Sequence, residues 1–287
     1  MPASPAPGAG LLSFLAALEA ERPLQVVGAI NAYAAKLAEG AGFRALYLSG
    51  AGVANHSLGL PDLGMIQLAD VLTDASRITA ATGLPLLVDI DTGWGHAFTI
   101  DRAVRELERV GVAAVQIEDQ VNAKRCGHRP GKELVDPEEM VARVRAAVRA
   151  RSGLAVVART DAATVDDTIA RGKAYAAAGA DVVFAEALRS LEDVRCVTAA
   201  LDVPVLVNLT EFGLTPLWTI DELREAGVAV ALYPLSASRA AARASERVYR
   251  AIRDDGTQSG VVGEMQTRNE LYDVLDYLRW ERELDDL

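Results

Sequence analysis

The chain has 287 residues, with 29 Lys+Arg against 40 Asp+Glu and a net charge of −11. That acidic balance argues against a nucleic-acid partner, because phosphate binding needs basic patches, and two cysteines, Cys126 and Cys196, are too few for a disulfide framework. No stretch approaches the ~20 uninterrupted apolar residues that span a bilayer, and 51% hydrophobic with 24% charged residues is an ordinary globular make-up, expected here in the cytoplasm.

Residues 1–10 are rich in Pro, Ala and Gly and are expected to form a flexible tail. No basic residue precedes the apolar run Leu11–Leu18, as a secretory signal would require. Leu11, Phe14, Leu15 and Leu18 recur at helical spacing, which predicts a short amphipathic helix docked on the body. Eight apolar segments then predict strands at Gln25–Ile30, Ala45–Ser49, Leu86–Asp91, Ala114–Asp119, Ala155–Thr160, Val182–Ala187, Val205–Thr210 and Val228–Tyr233. Several are near-continuous Val/Leu/Ala runs, the pattern of strands buried on both faces. Each is followed by a segment of helical period. Asp136-Pro137 sets a cap and an N1 proline before a helix over Glu138–Ala150, with Gly153 beyond its end. Thr219-Ile220-Asp221-Glu222 is a capping box for a helix that Gly227 closes.

Regular alternation of this kind predicts the α/β class, and eight units predict a closed (β/α)8 TIM barrel rather than an open sheet. No linker or long repeat interrupts it, so residues 11–287 are expected to form one domain. Two features exceed a minimal barrel. One is the long connection from Gly50 to Pro85; the other is Gly263–Leu287, which follows a last outer helix at about Ala237–Arg253. In that tail Leu271, Val274, Leu275 and Leu278 mark an apolar helical face, and another subunit is a reasonable surface to cover it.

In a barrel of this type the chemistry sits at the C-terminal strand ends. Those ends carry Ser49, Asp89, Asp91, Glu118, Asp119, Arg159, Asp161, Glu186, Asn208 and Thr210. Asp89 and Asp91, two apart on a strand, would both point into the barrel mouth, and Glu118 ends the next strand. Three carboxylates without a histidine describe a hard-cation site, Mg²⁺ or Mn²⁺ rather than Zn²⁺, since crowded carboxylates need a cation to stay ionised together. A single strand-end Asp can simply cap the next helix; polar groups at six of the eight ends outrun that explanation. A second constellation, Lys124-Arg125-Cys126-Gly127-His128, follows the fourth strand. Cations and a histidine beside a cysteine are expected to stabilise its thiolate, and Gly127 allows close backbone approach to a ligand. Cys196, in an apolar helical segment, is expected to be a buried small hydrophobe. His56 and His96 fall in rim loops as surface or supporting groups.

The run Lys124-Arg125-Cys126-Gly127-His128 resembles the isocitrate lyase-type signature of the phosphoenolpyruvate mutase/isocitrate lyase superfamily. So do Tyr47-Leu48-Ser49-Gly50, Gly59-Leu60-Pro61-Asp62-Leu63-Gly64, Asp89-Ile90-Asp91-Thr92-Gly93, Ile117-Glu118-Asp119-Gln120, Ala158-Arg159-Thr160-Asp161, Asn208-Leu209-Thr210-Glu211-Phe212-Gly213 and Leu232-Tyr233-Pro234-Leu235-Ser236. Within the superfamily the chain is most similar to the 2-methylisocitrate lyase branch of the methylcitrate cycle of propionate catabolism. The resemblance implies a homotetramer of barrels that exchange C-terminal helices. It implies Mg²⁺ around Asp89, with Asp91, Glu118 and Asp62 contributing directly or through water, and Mn²⁺ able to substitute. It implies substrate carboxylates held by Ser49, Gly50, Ala51, Gly127, His128, Arg159, Asn208 and Thr210, with Ala51 standing where many relatives have a glycine. It implies cleavage of 2-methylisocitrate to pyruvate and succinate, with Cys126 as general acid, flanked by Lys124 and His128, and Arg159 among the charge-stabilising groups. Tyr47 and Glu186 are both candidates for the base. Phe184, Pro234 and Leu235 are expected to shape a pocket for the extra methyl group. A phosphonate mutase or oxaloacetate-type hydrolase of the same fold, and a non-catalytic acid sensor, are the competing readings.

Overall fold

The computed structural model describes residues 9–122 and 124–287; residues 1–8 of the expected tail, and the side chain of Leu11, lie outside what is described. Eight strands, β1 (Leu24–Gly28), β2 (Ala45–Leu48), β3 (Leu86–Asp89), β4 (Ala114–Glu118), β5 (Ala155–Thr160), β6 (Val182–Ala185), β7 (Val205–Asn208) and β8 (Val230–Tyr233), lie where the apolar runs placed them. They pair in sequence order, all parallel, and β8 returns to β1 to close the barrel. Helices alternate with them, as the predicted (β/α)8 architecture requires.

Strand alternation divides the residues into two shells. Leu24, Val26, Ala45, Tyr47, Leu87, Ala114, Val157, Phe184, Leu206 and Leu232 fill the barrel interior. Their neighbours Leu46, Leu48, Leu86, Val88, Val115, Ile117 and Val156 pack outward beneath the helices. Both faces are therefore dry, which is why these strands lack a polar alternation. The helix Ala9–Ala20 carries Phe14 and Leu18 into the interior cluster, against the N-terminal ends of the strands, and closes the floor of the barrel.

The capping signals act as expected at the helix over Pro137–Ala150, with proline in its first turn, although the Asp136 side chain makes no capping bond. At Ile220–Glu225 the Thr219 and Glu222 side chains cap reciprocally, and Gly227 turns away at φ 79°. Three expectations are corrected. Cys196 is exposed on the helix Leu191–Ala200, because Val194 and Val197 take its inward positions. The strand pairing of β3 ends at Asp89, so Asp91 is not on the strand; it sits in the following turn in the left-handed region, at φ 49°. The apolar face of the tail is not one helix: Arg268–Leu275 and Tyr277–Asp285 are separated at Asp276, φ 52°, and Leu275 and Leu278 fall on opposite sides of the break. Among the described residues no helix is long and apolar enough to cross a membrane.

Candidate active site

The turns that leave the C-terminal strand ends surround a cavity of about 770 Å³. Tyr47, Ser49, Ala51, Asp62, Asp89, Lys124, Cys126, Gly127, His128, Arg159, Phe184, Glu186, Asn208, Thr210, Pro234 and Leu235 border it. Of the site residues and charged strand-end residues singled out by sequence, Gly50, Asp91, Glu118, Asp119 and Asp161 do not reach its wall and lie buried behind it. A shallower groove along Ala242–Asp254 has none of the strand-end residues.

One wall is acidic. Asp89 Oδ2 accepts from the Gly50 N–H at 3.1 Å, and its Oδ1 accepts from the Asp91 N–H at 3.1 Å. Gly50 is required at this spot, since a Cβ would stand 2.8 Å from Asp91 Oδ1 and 3.1 Å from Asp89 Oδ2. The turn that replaces the expected strand thus still gathers both aspartates against Gly50. The carboxylate oxygens of Asp91 and Glu118 are enclosed and receive no hydrogen bond. Lys124 Nζ reaches 3.0 Å from Asp91 Oδ1, an ion-pair distance without hydrogen-bond alignment, and 2.6 Å from Asp62 Oδ1. Burial pushes Asp91 up to about 7, with Lys124 pulling it back and Asp89 adding to the rise. Burial likewise pushes Glu118 well above the usual carboxylate range against the opposing Arg159. For Lys124 burial acts downward, and the surrounding carboxylates outweigh it to hold the ammonium firmly protonated.

Among the described residues, no three His, Cys, Asp or Glu side chains stand in ready-made metal-binding array. The oxygen set nonetheless fits a hard cation: it is buried, all carboxylate, and four of its oxygens, on Asp91 and Glu118, make no aligned hydrogen bond.

A residue the sequence reading passed over links this wall to Tyr47. The Tyr47 hydroxyl donates to Gln116 Oε1 at 2.7 Å, and Gln116 Nε2 donates to Asp89 Oδ1 at 3.0 Å. A carboxylate only accepts, so the amide orientation is set and the Tyr47 hydrogen is committed to Gln116. Burial, reinforced by Asp89, raises the Tyr47 phenol well above its ordinary value. The available signal was parity: Gln116 is an inward polar residue two before Glu118 on β4.

The opposite wall is built around Arg159. Its Nε and Nη2 donate to Asp161 at 2.9 and 3.0 Å, while Nη2 lies 3.2 Å from Glu186 Oε2 and Nη1 3.4 Å from Glu118 Oε2. The guanidinium carbon stands 5.2 Å over the Phe184 ring. Glu186 is densely supplied with donors: His128 Nε2 at 3.1 Å, the Ala187 N–H at 2.8 Å and Asn208 Nδ2 at 3.3 Å to each oxygen. Burial raises its carboxyl, but Arg159 and His128 outweigh burial and lower it overall, which makes it a weak proton acceptor. His128 Nδ1 accepts from the Leu214 N–H at 2.9 Å, so the ring proton belongs on Nε2, facing Glu186. Asn208 Oδ1 is buried without a partner. Gly127 packs so tightly here that a Cβ would lie 2.3 Å from Arg159 Nη2. Cys126 next to it is exposed. The cations flanking it in sequence turn elsewhere, Lys124 to Asp62 and Asp91, Arg125 over Gly131.

Residues 14–253, which hold the whole of this site, match the family model described as phosphoenolpyruvate phosphomutase. The chain belongs to the phosphoenolpyruvate mutase/isocitrate lyase superfamily. Over 281 residues it is 56% identical to a 2-methylisocitrate lyase of Salmonella typhimurium, spanning 96% of this chain and 95% of that one. It is 55% identical to that of Shewanella oneidensis, spanning 96% of each. Among solved structures, 2,3-dimethylmalate lyase superposes with a TM-score of 0.88 at 36% identity, covering 96% of this chain and 94% of that one. Phosphonopyruvate hydrolase, solved in complex with oxalate and Mg²⁺, superposes with a TM-score of 0.83 at 27% identity, covering 95% and 97%. This superfamily member is an enzyme of the 2-methylisocitrate lyase type.

Proposed function

We propose that the chain cleaves 2-methylisocitrate to pyruvate and succinate, as the carbon–carbon lyase of the methylcitrate cycle in propionate catabolism. The supporting observation is that one cavity is bordered by Asp62 and Asp89, with Asp91 and Glu118 buried behind them, and by Arg159, Glu186, His128 and Asn208, together with the Cys126 loop. The reading includes a cytoplasmic homotetramer with exchanged C-terminal helices.

Asp89, Asp91, Glu118 and Asp62 would hold Mg²⁺ or Mn²⁺, which supplies Lewis acidity to the substrate hydroxyl and its neighbouring carboxylate. Arg159, His128, Asn208, Thr210 and Ser49, with the N–H groups of Ala51 and Gly127, bind the substrate carboxylates. The Gly50 N–H is already given to Asp89. Tyr47 has committed its hydrogen to Gln116, so its oxygen lone pairs are what it offers the substrate hydroxyl. That hydroxyl passes its proton to a base, for which the ionised Glu186 carboxylate on the cavity wall is the remaining candidate, and its C–O bond becomes the ketone of pyruvate. The electron pair of the adjacent C–C bond passes to the other fragment, whose charge Arg159 and Asn208 stabilise. Cys126 delivers a proton to the carbanionic carbon, completing succinate.

Phe184, Pro234 and Leu235 are all among the residues lining the cavity, and the reading takes them as its apolar corner for the extra methyl group. One methyl group in such a corner is worth about 10–200-fold in kcat/KM, so 2-methylisocitrate is expected to outrun isocitrate by that margin. Pyruvate release from the two substrates, with EDTA and after adding back Mg²⁺, Mn²⁺ or Zn²⁺, tests the reading. EDTA should abolish turnover, Mg²⁺ or Mn²⁺ restore it and Zn²⁺ restore it poorly. Failure to release pyruvate, or indifference to chelation, overturns it.

A further inference from the structure

Cys126 has an exposed thiol on a loop, yet a proton donor must be held against the reacting carbon. The side chains beside it in sequence do not hold it, since Lys124 and Arg125 point to other partners. A different residue fastens this loop. Gln120, buried two residues past the end of β4, accepts from the Arg125 N–H at 2.9 Å through Oε1 and donates to the Arg125 carbonyl at 2.9 Å through Nε2. Its amide reproduces one rung of an antiparallel ladder, and that rung ends one residue before Cys126.

Gln120 is itself anchored to the barrel. Arg143 Nη1 donates to the Gln120 carbonyl at 2.9 Å and to the Glu118 carbonyl at 3.1 Å. Gln120 also bridges Leu134 across the loop's root, where Val121 N–H donates to Glu133 at 2.9 Å and Val135 N–H to Asp119 at 2.9 Å. On the far side of Cys126, Gly127 is wedged against Arg159 and Glu186. The thiol thus lies between two fixed points, and Gln120 supplies the first.

We infer that Gln120 is the positioning residue for Cys126. It touches no substrate; it transmits the rigidity of β4, through the Arg125 backbone, to the proton donor. The inference rests on the Cys126 role proposed above.

Two measurements separate this inference from that reading. Gln120→Ala, and Gln120→Glu, which keeps the shape but sets a carboxylate against the Arg125 carbonyl, are compared with the parent by steady-state kinetics and by trypsin. Substrate carboxylates are bound by other residues, so kcat should fall about 10–100-fold, as an ångström-scale misplacement does, with KM within about threefold. A merely structural role would lower the yield of folded enzyme and leave kcat per folded site unchanged. Trypsin, without substrate or metal, reads the loop directly: cutting after Lys124 and Arg125 should be about tenfold faster in both variants, because a pinned backbone resists the protease. Unchanged trypsin cutting overturns the clamp, even if the parent proves inactive on 2-methylisocitrate. Faster cutting with kcat within about twofold of the parent overturns the positioning role. Should Gln120→Ala fail to fold, the Glu variant alone decides both points.

Discussion

Asp161 takes both an Nε and an Nη2 hydrogen bond from Arg159 and a third, at 3.0 Å, from Lys132. Burial acts to raise its carboxyl, but the Arg159 and Lys132 charges prevail and hold it at about 2, below its ordinary 3.8. A carboxyl depressed in the folded state stabilises the fold above the ordinary value, and that stabilisation is lost as pH falls through the folded one. Asp161→Asn should therefore cost about 3–5 kcal/mol at neutral pH, the loss typical of breaking a buried pair. The gap to the parent should narrow between about pH 4 and pH 2 in denaturant titrations; a gap independent of pH would contradict this assignment. Cys126 gives a sharper contrast. A serine hydroxyl is a far weaker acid than a thiol, so Cys126→Ser should lower kcat by about 10²–10⁴-fold while the fold and substrate binding persist. Cys196→Ser, on an exposed helix face, should behave as the parent; near-parental turnover of Cys126→Ser would remove that thiol from the proposed role.

At the level of elements, Phe14 and Leu18 are the buried side chains among those described on the helix Ala9–Ala20, both essentially inaccessible to solvent in the barrel's interior cluster. Phe14→Ala should cost about 3–5 kcal/mol through lost burial and the cavity it leaves, seen as a lower denaturant midpoint with KM unchanged, since the cavity lies at the other end of the strands. The strands were readable because both faces are dry and period two does not interrupt the apolar runs. Their last residues were less so: β1, β3, β6 and β7 leave the ladder two residues before the predicted ends, and after β3 and β6 Asp91 and Ala187 adopt left-handed turns that apolar content does not encode. Strand-end parity exposed Asp89, Glu118, Arg159, Glu186 and Asn208. The same parity marks Gln116 as inward, yet neither its role nor that of Gln120 could be read, because an amide's hydrogen bonds stay undefined until its partners are known. Those of Gln116, Tyr47 and Asp89, come from strands 69 and 27 residues away. The proximity of Lys124 to Cys126 along the chain likewise misled, because Lys124 turns into the acidic wall instead.

At the scale of the whole molecule, the tail beyond the helix Ser236–Asp255 leaves Tyr277, Leu278, Trp280 and Leu284 exposed. Its own anchorage is slight, including a Tyr33 hydroxyl bond to Gln266 at 2.5 Å. Exposed apolar faces of this kind mark association surfaces. Deleting Gly263–Leu287 should reduce the proposed tetramer to smaller species in sedimentation velocity, and an unchanged oligomer would rule out the exchanged-helix arrangement. The closed floor of the barrel has a consequence for traffic. With the barrel interior packed and Phe14 and Leu18 covering the strand starts beneath it, the site is blind, and whatever enters by the loop-lined mouth leaves by it. A lyase makes two molecules from one, so its products form a queue at a single door. The fragment seated deeper waits on the shallower one, and until it has gone the next substrate finds its place taken.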